Sequence, residues 1–208
     1  LSLARKLSSD FGTSHTEIIL RPSDVLSSIV NIAQSLDQPY SGGIPSWFVF
    51  LSASMNHKAI LTGVGGDELF GNYGKVHKLF SRTLLGSRRL SGLLPLDTIA
   101  PVDSINQLVY MTDLFKSAYM YPEYLTEYSS EDSYRDLLLS IAASDLRDKI
   151  FVLDMSTQLV DEFLFMTDRF SMAHSLEART PFLDSQLVDL MMMIPPQIRS
   201  PLRDSKKL

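Results

Sequence analysis

The sequence predicts an α/β protein: a parallel-sheet portion over residues 1–75, then a mainly helical portion over residues 76–208. Three observations point there. Segments in the first third follow one another as helix, strand, helix, helix, strand, the rhythm of helices laid against a parallel sheet. The stretch "AILTG", residues 59–63, is short, apolar and bounded by glycine, as a buried parallel strand is. Beyond Tyr73 no alternating segment recurs, and the apolar spacing is helical.

Each element has its own signal. "LSLARKLSSDFGT" sets Leu1, Ala4, Leu7 and Phe11 on one helical face, with Gly12 as the stop. "HTEIIL" alternates and reads as a short strand. Ser23 or Asp24 caps a helix on which Val25, Ile29, Ile32, Ala33 and Leu36 share a face. Pro39 and "YSGGIP" interrupt the chain as a turn, and "SWFVFLSASMNHK" follows as an apolar helix. Helices are expected over 76–90 and 103–120, with two or three more across "SYRDLLLSIAASDLRDKIFVLDMSTQLVDEFLFMTDRFSMAHSLE". Pro181 restarts the chain. "LDSQLVDLMMMIPP" is a last helix, ended by Pro195 and Pro196, whose methionines 191–193 fill core.

Composition narrows the function classes. Of 208 residues, 45% are hydrophobic and 21% charged, enough apolar material for a sizeable core. The net charge of −5 argues against a nucleic-acid or anionic-membrane partner. With no cysteine, thiolate metal sites and thiol nucleophiles are excluded for these residues. No apolar run approaches the roughly 18 residues of a membrane span, and a cytoplasmic location is expected.

Two clusters carry chemistry. In "LTGVGGDELFGNY" a strand delivers Thr62 and Gly63 to a sheet edge, where α/β folds bind ligands. Gly63, Gly65 and Gly66 let the backbone approach a ligand or turn through positive φ. Asp67 and Glu68 then open a helix, and two carboxylates beside a phosphate require a bridging cation such as Mg²⁺. The ordinary alternative is a glycine turn with Asp67 as a helix cap, and the pattern alone leaves both open. "DRFSMAHSLEARTPFLD", Asp168 to Asp184, packs Asp168, Arg169, Ser171, His174, Glu177, Arg179 and Asp184 among apolar residues. On a continuous helix Arg169 would face Glu177, and Asp168 would face Arg179, as a structural ion-pair network. His174 reads as a hydrogen-bonded packing residue.

Together these clusters resemble the synthetase domain of the glutamine-hydrolysing asparagine synthetase family. The family pattern S-G-x-G-x-D-E-x-F-G-G-Y is similar to Thr62-Gly63-Val64-Gly65-Gly66-Asp67-Glu68-Leu69-Phe70-Gly71-Asn72-Tyr73. Its later D-R-x-S-M-A-x-x-x-E-x-R-x-P-F-L-D matches Asp168 to Asp184. "FGTSHTEI" and "LDQP" resemble its G-T-x-H-x-E segment and its acidic-Pro turn. The resemblance implies part of an adenine-nucleotide α-hydrolase-like (ATP pyrophosphatase) domain. The family's S-G-G-x-D-S phosphate loop and amino-terminal glutaminase domain would lie before Leu1, and its reactive lysine beyond Leu208. "SGGIPS" is not that loop, because Pro45 stands at the aspartate position. The fragment is therefore expected to be inactive alone.

What the resemblance implies chemically is activation of the aspartate side-chain carboxylate with ATP and Mg²⁺ as an acyl-adenylate, with release of pyrophosphate. Ammonia derived from glutamine then forms the amide. Thr62, Gly63, Gly65 and Gly66 would meet the nucleotide; Asp67 would hold the metal, with Glu68 supporting it. Glu177 and Arg179 would shape the acyl pocket, with Arg169 as a carboxylate partner. The implied partners are these small molecules, the glutaminase domain of the parent chain and a second copy in a homodimer. Val64 departs from the glutamate found in many asparagine-forming members, which motivates the first of two alternatives. One is an amide- or lactam-forming ligase for another carboxylate. The other is a catalytically degenerate scaffold.

Overall fold

The computed structural model describes residues 2–70 except 39 and 41, residue 109, and residues 111–199 except 144. Helix α1, Ser2–Phe11, ends where Gly12 turns through φ 62°, as its sequence predicts. It buries none of its residues, and Phe11 stays 77% exposed. The expected strand "HTEIIL" does not form. A strand needs a neighbour to complete its backbone hydrogen bonds, and among the described residues no strand lies beside it. Side chains hold this segment instead. Arg5 Nε and Nη2 donate to the two Glu17 carboxylate oxygens at 2.5 and 2.6 Å, with His15 Nε2 3.2 Å from Oε1.

The Arg5 hydrogen bond, ahead of its charge and of His15, holds the Glu17 carboxyl down at about 2, against an ordinary 4.5. Such a depressed carboxylate contributes stability above its ordinary pKa and loses it as the pH falls towards the folded value. The pair is exposed, so the expected result is spectroscopic. In an NMR titration the Glu17 carboxyl should titrate near 2, and in Arg5→Met it should move back towards 4.5. An unmoved midpoint would remove Arg5 as the cause.

Helix α2, Pro22–Leu36, starts on Pro22, whose missing N–H costs nothing in the first turn. Neither Ser23 nor Asp24 is its cap: Arg21 is, and Asp24 reaches back from inside the helix to accept the Arg21 N–H at 2.9 Å. Helix α3, Ile44–Ser54, is the expected apolar helix with Gly43 as its left-handed N-cap; it begins earlier than expected, because Ile44, Pro45 and Ser46 of "SGGIPS" form its first turn, and Ser41 lies outside the described residues. A side chain at Gly43 would collide with Met166, whose Cγ would be 2.8 Å from the added carbon.

Strand β1, Ala59–Leu61, lies where "AILTG" predicts it and pairs with β2, Glu177–Arg179, in a small parallel sheet. Glu177 N–H donates to the Lys58 carbonyl at 2.9 Å. The expectation of a buried strand fails: Leu61 is 73% exposed. Two strands of three residues present no second layer among the described elements to cover them.

The remaining elements are mainly helical. They are α4, Gly66–Leu69; α5, Asp113–Tyr119; a 3₁₀ turn, Pro122–Tyr124; α6, Ser130–Ser140; α7, Leu146–Ser156; a π-helical segment, Gln158–Leu164; and α8, Phe165–Ala173. After β2 come a 3₁₀ turn, Pro181–Leu183, and helices α9, Ser185–Met193, and α10, Pro196–Arg199. The prolines behave differently from their prediction: α9 does end before them, but Pro196 also begins α10, as a first-turn proline can. Only 113–119 of the expected 103–120 helix is helical among the described residues. The helix expected over 76–90, the boundary at 75/76 and Gly71–Tyr73 lie outside the described residues.

The chain forms two compact units, one of Leu1–Ile60 with Met166–Arg179, the other of Leu61–Phe165 with Thr180–Leu208. In the first, Ile32, Leu36, Trp47, Phe48 and Phe170 are buried. Trp47 and Phe170 meet edge-to-face at 5.4 Å, a contact of about 0.5–1.5 kcal/mol beyond area burial. The second unit is centred on Leu69, Phe151 and Met191, with Val152, Met155, Leu187 and Val188 packed around them.

Candidate functional site

The glycine turn is built from the second unit outward. Thr62 and Gly63 leave β1, and Gly65 turns the chain at φ 90° as the N-cap of α4. The three glycines serve different ends. A carbon added at Gly63 would meet nothing within 4 Å among the described residues, leaving room over the backbone. At Gly65 the same carbon would fall 2.4 Å from Leu183 Cδ2, and at Gly66 it would lie 3.4 Å from Phe182 Cδ2. Phe182 also meets Phe70 edge-to-face at 6.2 Å. Glycine at 65 is thus required by its positive φ and by packing against Leu183, the Gly66 approach to Phe182 is an ordinary contact distance, and Gly63 is open among the described residues.

Helix α4 has four residues, too few to be stable alone, so its roll is set by what it buries. Leu69 is fully buried in the cluster with Phe151 and Met191. Successive helical residues are turned by about 100°, so Asp67 points roughly opposite to Leu69 while Glu68 follows it inward. Asp67 is accordingly exposed and Glu68 is 2% exposed. The two carboxylates predicted to share a metal diverge. Mg²⁺ needs only one or two protein carboxylates when phosphate oxygens and waters complete its six ligands. Asp67 fits that part. Glu68 fits as a buried support and not as a second ligand in this arrangement. Among the described residues no three His, Asp or Glu side chains gather as a metal cage.

The other predicted residues belong to the first unit. The pairing of Arg169 with Glu177 and of Asp168 with Arg179 on a continuous helix does not occur. Helix α8 stops at Ala173, Ser175 turns at φ 53°, and the chain extends into β2. Two residues apart on one strand, Glu177 and Arg179 share a face, and Arg179 Nε donates to Glu177 Oε1 at 2.9 Å. The Arg179 hydrogen bond and charge lower the Glu177 carboxyl, and the same bond raises the guanidinium. Arg169 Nη2 donates to Asp37 Oδ2 at 2.9 Å, joining "DRFSMA" to "LDQP".

His174 is the packing residue its sequence suggested. Its ring lies 4.3 Å from that of Trp47, and its Nε2 is buried without a hydrogen-bond partner. Burial lowers its pKa from 6.5, against the opposing pull of a backbone hydrogen bond at Trp47. A histidine shifted this way contributes stability that is complete above its ordinary pKa and is lost as the pH falls through the lowered one. The melting temperature should therefore drop as the pH falls below 6.5. In His174→Phe that slope should flatten; an unchanged slope would assign it to other groups.

A mixed α/β protein, mostly helical, with a glycine turn opening a helix on a surface carboxylate, is the class that fold and site define. The chain belongs to the asparagine synthase family, whose family model matches residues 1–208. It is 24% identical over 225 residues to the glutamine-hydrolysing asparagine synthetase 1 of Bacillus subtilis, covering 96% of this chain and 35% of that protein. A Mycobacterium tuberculosis protein, named provisionally as a glutamine-hydrolysing asparagine synthetase, is 24% identical over 214 residues, covering 88% and 31%. The chain thus spans about a third of the length of these relatives. No solved structure matches it significantly. No helix among the described residues is long and apolar enough to cross a membrane.

Proposed function

We propose that this chain is part of the synthetase domain of an ATP-dependent asparagine synthetase, acting within a longer parent that also holds a glutaminase domain. The observation that carries the reading is the turn itself: an open glycine at 63, a packed left-handed turn at 65, and Asp67 alone held outward. Family membership gives this turn its context.

ATP is a substrate of the proposed reaction. A carboxylate oxygen of aspartate forms a bond to the α-phosphorus, the α–β phosphoanhydride bond breaks, and pyrophosphate leaves. Ammonia then displaces AMP from the acyl carbon. Mg²⁺ would neutralise the charge gathering on the leaving pyrophosphate. Open space over Gly63 lets the backbone lie against the nucleotide, with the Thr62 hydroxyl beside it. Asp67 supplies the metal carboxylate, and buried Glu68 stiffens the first turn of α4. Gly65 holds the turn in shape through its positive φ and its packing against Leu183, and Gly66 opens α4 beside the nucleotide. Glu177 and Arg179 orient each other as a fixed pair for the acyl substrate, and Arg169 acts from α8 as a carboxylate partner. The parent is proposed to work in the cytoplasm, as a homodimer, with no nucleic-acid or membrane partner.

A second reading, an amide- or lactam-forming ligase for another carboxylate, is favoured by Val64. An apolar side chain in the turn accepts no hydrogen bond and bears no charge. The test is ATP–pyrophosphate exchange by the full-length parent with Mg²⁺ across a panel of carboxylic acids. Exchange that depends on aspartate is the expected result. Exchange with another acid alone establishes the second reading, and none with any acid, from folded protein, leaves a scaffold.

A further inference from the structure

Helix α10 ends in a buried cation that the proposed reaction does not use. The Arg199 side chain is 1% exposed. One guanidinium nitrogen, Nη1, donates to the Met191 carbonyl in the last turn of α9 at 2.9 Å. The other, Nη2, pairs with Asp148 on α7. The guanidinium Cζ lies over the Phe151 ring, 4.3 Å from the ring centre. Nε is buried without a partner.

Burying a charge is costly, and apolar replacements of a whole buried pair are often as stable. A guanidinium with one unsatisfied donor is a poor choice for stability alone. What it does uniquely is reach a carboxylate, a helix-end carbonyl and an aromatic face with one rigid planar group. Here those three belong to α7 and α9, whose Phe151 and Met191 form the socket for Leu69. Leu69 in turn sets the roll of α4, and that roll sets where Asp67 points.

We infer that Arg199 is a positioning residue for Asp67, acting through Phe151 and Leu69. This inference rests on the proposed role of Asp67 at the metal. Arg199 touches neither nucleotide nor metal; it keeps the socket in one shape so that the carboxylate of a four-residue helix has one direction.

The test uses the full-length parent with both members of the ion pair replaced, Arg199→Met with Asp148→Leu, so that no buried charge is stranded. Phe151→Met is the second variant, keeping volume while removing the aromatic face. Calorimetric titration with a non-hydrolysable ATP analogue, with and without Mg²⁺, is read beside the melting temperature. In wild type, Mg²⁺ should tighten binding. In both variants that gain should shrink about tenfold, as expected for losing part of one charge-assisted contact, while metal-free binding is unchanged.

A folded variant with the full wild-type gain overturns the inference and leaves the reading of Asp67 intact. A wild-type protein whose affinity is indifferent to Mg²⁺ overturns both. If the double variant does not fold, Phe151→Met decides. A fall in metal-free and metal-dependent binding by the same factor shows general loosening and also overturns the inference.

Discussion

Asp67→Asn in the full-length parent should lower Mg²⁺-dependent ATP–pyrophosphate exchange by about 10²–10³-fold, the scale for removing one preorganised charge-stabilising group. Asp67 is an exposed carboxylate on the turn, whereas its neighbour Glu68 is buried. Asparagine keeps the shape, and Gly65 rather than Asp67 is the N-cap of α4, so no cap is lost; what goes is the negative charge that Mg²⁺ requires. The melting temperature should therefore stay near the wild-type value while the rate falls. Exchange within a factor of about three of wild type, too little for a lost metal carboxylate, would remove Asp67 from the metal. The same loss in Glu68→Gln, with no change in stability, would instead point to Glu68 as the ligand.

Gly65→Ala should be the most damaging small substitution in the turn. Holding a side chain at positive φ costs about 1–2 kcal/mol. The added carbon also falls 2.4 Å from Leu183 Cδ2, and such overpacking typically costs about 1–3 kcal/mol. The combined loss of roughly 2–5 kcal/mol, from the same two principles, would be read as a lower midpoint in urea. Adding Leu183→Ala separates the two causes. It should recover the packing part and leave the backbone part, so the pair should couple favourably in a double-mutant cycle. Strict additivity would show that Leu183 is not what confines Gly65.

Helices α2 and α3 were legible from apolar content and spacing, although their starts were not: Arg21 caps α2, and α3 begins at Ile44 inside the expected turn. Strand β2 was not. Glu177-Ala178-Arg179 is three residues long with two charged side chains, so its identity comes from pairing with β1. "HTEIIL" shows the converse, a strand-like pattern with no described neighbour to pair with. The charged cluster at 168–184 misled for a related reason. Helical spacing predicts contacts only while the helix lasts, and α8 stops at Ala173.

By itself the sequence determined the family, the place of the glycine turn after a strand, and the list of groups able to do chemistry. These depend on residue type and order along the chain. It could not say that Glu68 turns inward while Asp67 turns outward, that Leu183 makes Gly65 obligatory, or that Arg199 underlies the socket for Leu69. Those depend on which side chains from distant segments compete for the same volume, and only the tertiary packing decides that.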